Sequence, residues 1–163
     1  MGSKLNEMKN RSNEGNRSLE SAREVGQKAV EDATSMSEIV NSLPADIDDE
    51  IVQAAETVKE GTRSDAENFM DSTVNEQLDA GKNVMSSANE MGHTQIENNN
   101  DVISKFQQMD SIGDFGKSAR SEGVNAAQQS ISAFEGAIAE NESSVQEAES
   151  NFQNQRSTIT GLF

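Results

Sequence analysis

The sequence predicts an all-α protein, an elongated antiparallel helical bundle or coiled coil of three long helices in a single domain spanning residues 1–163. Three observations predict it. A heptad seam runs unbroken through the C-terminal third, a second heptad row runs through the N-terminal third, and the only proline, Pro44, stands where the first row ends. The arrangement matters because the composition alone points the other way. Apolar residues make up 33% of the chain and the net charge is −16, which is the signature of disorder unless the few apolar residues are placed to pack.

The first helix is expected over about residues 3–43. Leu5, Ser12, Leu19, Gly26, Ala33 and Val40 make one heptad row, and Met8, Gly15, Ala22, Ala29, Met36 and Leu43 make the other. Small residues along such a seam permit close helix approach, although each glycine costs about 1 kcal/mol of helix propensity. Pro44 disfavours the α conformation at Leu43 and ends the helix. Asp46 is then expected as the next N-cap, with Asp48, Asp49 and Glu50 complementing the dipole of the first turn.

The second helix is expected over 46–110, antiparallel to the first across a short turn. Its apolar stripe includes Ile47, Ile51, Ala54, Val58, Ala66 and Phe69, then Met70, Val74, Leu78, Met85 and Ala88. Between Val58 and Leu78 the spacing drifts toward successive fours, so the seam is less regular there. Residues 91–100 include Gly92 and the run Asn98-Asn99-Asn100. Such residues weaken a helix, and a kink or loop is expected to split it there. If unbroken, the helix would extend roughly 95 Å at 1.5 Å per residue.

Ser111-Ile112-Gly113-Asp114-Phe115-Gly116 reads as the next break, and the third helix is expected over 117–160. It carries the strongest pattern in the chain. Val124, Ile131, Ile138, Val145, Phe152 and Ile159 are each seven apart, and Ala127, Phe134, Asn141, Ala148, Gln155 and Leu162 complete the a/d seam. A sustained 3.5-residue period describes helices packed in coiled-coil fashion. On one flank stand Glu135, Glu142 and Glu149, closed by Arg156. On the other, Gly123, Ser130, Ala137 and Ser144 are small and neutral, which predicts a second neighbouring helix and hence a bundle. Lys9 and Arg23 hold the matching flank of the first helix. The acidic flank is read either as a solvated surface or as one facing those bases, in this chain or in another.

Little in the sequence points to chemistry. There is no Cys, hence no disulfide, thiolate nucleophile or Cys-ligated zinc. His93 is the only histidine. Glu90 and Glu97 could share its helix face as metal ligands, but it reads more simply as an exposed residue near the expected kink. Gly113 to Ser118 contains Gly-Lys-Ser, yet its two glycines are too close together for a phosphate loop, so it reads as an interhelical turn. Asp46 to Glu50 lacks the alternating pattern of a calcium loop. Met8, Met36, Met70, Met85 and Met109 lie on the apolar stripe as core residues, or as an adaptable partner surface. No enzyme, cofactor or metal site is therefore expected. The negative charge opposes binding to nucleic acid. No apolar run reaches 18 residues, and the acidic helix faces disfavour membrane insertion. Met1 to Lys28 is polar throughout and does not read as a signal peptide. A protein partner, or self-association through the helical seams, is what remains.

Long helices with few aromatics, and an opening Met1-Gly2-Ser3-Lys4-Leu5-Asn6-Glu7-Met8-Lys9 followed by a small-residue heptad, resemble the small helical proteins of type VII secretion. These are the WXG-type hairpins and the helical partners of LXG toxins. Phe106-Gln107-Gln108-Met109-Asp110 is similar to the aromatic-x-x-x-acid export signals of that pathway. There is no Trp-x-Gly turn, and Phe134-Glu135-Gly136 has that shape only inside the heptad run. The resemblance implies a secretion substrate or the targeting partner of a toxin. It also implies a cytoplasmic stage before export without a cleaved signal peptide, with Phe106 and Asp110 as the export motif. The competing reading of Phe106 is a core residue in phase with Ile103 and Met109. The competing reading of the whole chain is a structural coiled-coil subunit of an oligomer or filament.

Overall fold

Pro44 and the acidic stretch after it shape the first turn. The computed structural model describes residues 2–44, 46–109 and 113–163, apart from the side chains of Asp114 and Phe115. Helix α1 (Gly2–Asn41) ends just before the proline, and Ser42 N–H closes its last turn on the Glu38 and Ile39 carbonyls. Helix α2 (Asp49–Phe69) starts after Asp48, which occupies the N-cap position in place of the expected Asp46. Asp48 makes no side-chain capping bond, so the charges of Asp49 and Glu50 in the first turn do the work of complementing the dipole.

A π-helical turn, Met70–Val74, joins α2 directly to α3 (Asn75–Gln108). Its cause is the run of fours noted in the sequence. Ala66, Met70, Val74 and Leu78 are each four apart, and every such step overshoots an α-helical turn by about 40°. Three steps would swing Leu78 off the inner face. Widening the turn with i→i+5 bonding absorbs the excess, and Met70, Val74 and Leu78 are all buried.

The kink or loop expected at 91–100 does not form: α3 passes through these residues without interruption. Tertiary contacts override the poor local propensity. Gly92 is buried where a Cβ would stand 3.0 Å from both Ile138 Cδ1 and Met8 Sδ. Asn99 donates from Nδ2 to Ser130 Oγ at 2.9 Å. Helix α4 (Gly113–Gly161) begins earlier than expected, at Gly113, whose φ of +71° is the left-handed conformation that suits a residue without Cβ. Arg120 on α4 donates to the carbonyl of Met109, just past the end of α3.

The chain's contacts divide into two compact units, Met1–Asn16 with Asn83–Ser144 and Arg17–Lys82 with Val145–Phe163. Residues of α1, α3 and α4 contribute to both units. In the first unit Met8, Ala88, Phe134, Ala137 and Ile138 form the buried core, with Leu5 and Ile96 packed at its edge. Asn89 pairs with Asn141, Asn99 with Ser130, and Phe106 meets Gly123, so α3 and α4 run antiparallel there. Asn141 is buried in the seam, and its 2.9 Å bond to Asn89 fixes register, because any shift would strand both amides.

In the second unit Leu19, Ala22, Ala29 and Ala33 of α1 are buried, as are Phe152 and Ile159 of α4. Small residues bring the helices together. Gly81 lies against Leu19, and Gly26 lies against the Gln155 side chain, whose Nε2 donates to the Arg23 carbonyl at 2.9 Å. Ser37 donates to the Leu162 carbonyl at 3.0 Å. From Arg23 to Ser37 the partners rise from Gln155 on α4 to Leu162 just past its end, so α1 and α4 run parallel in this unit. Of the seam residues read from the sequence, Phe134, Ile138, Phe152 and Ile159 are buried, and Val124, Ile131 and Val145 are half-buried.

Candidate interaction surface

The export-type pair is placed only in part. Phe106 is half-buried, with its ring over Gly123. A Cβ on that glycine would come within 2.5 Å of the ring. α3 ends at Gln108, and Asp110 lies outside the described residues. The ring of Phe106 therefore takes part in helix packing, while Met109 beside it is exposed.

Among the described ion pairs, the flank of α4 does not meet the bases of α1; two of its residues, Arg156 and Glu149, pair instead with the π turn and α3. Arg156 donates from Nε and Nη2 to the two carboxylate oxygens of Asp71, at 2.7 and 3.0 Å. This hydrogen bonding holds the Asp71 carboxyl below its usual range and raises the Arg156 guanidinium further. Glu149 pairs with Lys82, which raises the Lys82 ammonium. Arg23 instead pairs with Glu20 one turn back on its own helix. Glu135, Glu142 and Lys9 are exposed.

His93 is exposed on an uninterrupted helix, next to buried Gly92, and Glu90 and Glu97 are exposed too. Among the described residues no group of three His, Asp or Glu side chains converges as a metal site. No helix is long and apolar enough to cross a membrane among the described residues. Gly113 to Ser118, expected as an interhelical turn, instead forms the start of α4, with Gly113 at positive φ.

The surface that sequence reasoning missed lies in the second unit. Although α2 carries an apolar stripe, it buries none of its residues. Ile51 is 46% exposed, Val58 49% and Phe69 38%. On α1, Ile39 is exposed and Met36 half-buried. Between the helices runs an open groove of about 530 Å3, with Val25, Ala29 and Met36 on one wall and Thr62, Ala66 and Phe69 on the other. Asp32, Asp65 and Lys28 also line it. The signal was available in the sequence: α2 carries an apolar stripe, while α1 sets Ala29 and Ala33 at the centre of the wall opposite. Small side chains on one helix leave the other helix's large ones incompletely covered.

Comparison with protein families, with curated proteins and with solved structures finds no match. The fold and this surface therefore define the chain as a helical bundle with an open apolar groove.

Proposed function

We propose that this chain is a non-catalytic helical protein–protein interaction module. One observation carries the reading: a 21-residue helix, α2, whose apolar stripe is left largely uncovered. Exposed apolar rows of this kind, rimmed by charge, mark sites where another protein binds. The resemblance to type VII helical proteins narrows the proposal to a secretion substrate or the targeting partner of a toxin. The alternative, a coiled-coil subunit joined to copies through the α4 seam, competes for residues already buried within this chain, where Phe134 is 1% exposed and Ile159 0%.

The test has two parts. Affinity capture of the tagged chain from its native host, followed by reconstitution from purified components, should yield a stoichiometric heteromeric complex. A chain that forms only homo-oligomers under the same conditions would favour the subunit reading. For export, Asp110→Ala is the informative variant, because Phe106→Ala also removes the ring from Gly123 and should cost stability of about 2 kcal/mol for a half-buried ring. Loss of export from a well-folded Asp110→Ala chain supports the secretion reading, and unchanged export removes it.

A further inference from the structure

We propose that the α1/α2 groove of the second unit is the docking site for an amphipathic helix with an apolar stripe and basic flanks, supplied by a different protein. This deepens the interaction-module reading and rests on it. The groove has the form of an unfilled position in a helical bundle. Val25, Ala29, Asp32, Met36 and Ile39 follow one another at three- and four-residue spacing, so they share one face of α1. Ile51, Val58, Thr62 and Phe69 share one face of α2 by the same rule. A helix laid between the two rows would cover Met36, Ala66 and Phe69 together and give that stretch a fourth helix, while Ile51 and Val58 continue the same face of α2 beyond the groove. Helix-in-groove recognition has this anatomy, with apolar anchors repeating along one face of the guest. From Val25 to Met36 the α1 wall extends roughly 17 Å at 1.5 Å per residue, which a guest helix of about four turns covers end to end.

Charge selects the guest. Residues 25–69 hold eleven acids and three bases, and one of those bases, Arg63, is already paired with Glu60. Asp32 and Asp65 stand in the groove itself, with Lys28 as its base. A second copy of this chain would bring a net charge of −16 to an acidic rim, so like charges oppose self-filling. Lys or Arg flanking an apolar stripe satisfies both walls, with the alkyl stems adding apolar cover.

The experiment uses the full chain and a synthetic helical peptide of about four turns with a leucine stripe and lysine flanks, in a fluorescence anisotropy titration. A second peptide carries glutamate flanks on the same stripe. The variants are Phe69→Ser, at a residue that lines the groove, and Asp32→Asn/Asp65→Asn. All three residues are exposed, so both variants should retain wild-type helicity by circular dichroism. The expected result is saturable binding of the lysine peptide, weakened at least tenfold in the Ser variant and severalfold in the Asn variant, with the glutamate peptide at least tenfold weaker. Lysine-peptide affinity unchanged in the Ser variant would overturn the proposal, as would no binding to the wild-type chain. Sedimentation showing a wild-type dimer that the Ser variant loses would also overturn it, in favour of a second copy. The host complex separates this failure from failure of the module itself: a native partner retained by the Ser variant refutes the groove and leaves the interaction module standing.

Discussion

Gly81→Ala sets two opposed terms of helix energetics against each other. Alanine is favoured over glycine in a helix interior by about 1 kcal/mol, so on α3 alone the substitution would stabilise. In the second unit, however, the new Cβ would stand 2.7 Å from Leu19 Cδ2, 2.9 Å from its Cγ and 3.0 Å from its backbone nitrogen. Leu19 is buried, and its side chain has little room to turn away. The backbone atom leaves only one remedy, separation of α1 from α3. Overpacking of this kind costs about 1–3 kcal/mol, so the net expectation is destabilisation of up to about 2 kcal/mol. For a chain of this size each kcal/mol corresponds to roughly 2–4 °C in Tm. Gly136→Ala supplies the control. It lies in the interior of α4 with no atom within 4 Å of the new Cβ, so it should gain most of the propensity term and melt higher. Thermal melts followed by far-UV circular dichroism give both signs. A Gly81→Ala protein melting at or above wild type would refute the close helix approach on which the second unit is built.

Two further outcomes are expected. Ile138→Asp places an unpaired charge in the core formed by Met8, Ala88 and Phe134 and should destabilise by several kcal/mol, whereas Ala139→Asp, exposed one position along, should melt within a few degrees of wild type; equal damage in urea titrations would mean that the α4 seam is misplaced. Arg156→Gln removes the partner that depresses Asp71. A depressed carboxyl stabilises above its unfolded pKa, and that contribution is lost as pH falls through the lower folded value. The variant should therefore melt slightly below wild type near neutral pH, by no more than about 1 kcal/mol because both side chains are over a third exposed. The gap should close as the pH drops below the folded pKa of Asp71, and a gap that persists in strong acid would assign the effect to packing.

How much was legible in advance differs from residue to residue. Phe134, Ile138, Phe152 and Ile159 are buried where a seven-residue period places them. That period has one geometric solution, a helix keeping one face inward, and it needs no knowledge of the partner. Pro44 marked the first turn for an equally local reason, its effect on the residue before it. The chain could not announce by itself which irregularities would be repaired. Gly92 and Asn98-Asn99-Asn100 look like a break until Met8, Ile138 and Ser130 close around Gly92 and Asn99. The run of fours from Ala66 to Leu78 looks like a fading seam until a π turn realigns it.

The surface divides along the same line. Composition and charge sufficed to set a strongly acidic exterior, and heptad spacing sufficed to set helices. Whether the α2 stripe is core or surface depended on the side chains opposite it, and those are fixed by the tertiary structure. Ala29 and Ala33 are buried on α1, yet they are too short to cover Phe69 across the groove. The ion pairs were likewise a tertiary decision, because Arg156 and Glu149 meet Asp71 and Lys82 only once α4 lies beside the middle helix. Periodicity is a property of one helix and can be read along the chain; coverage is a property of two, and it is settled only when they pack.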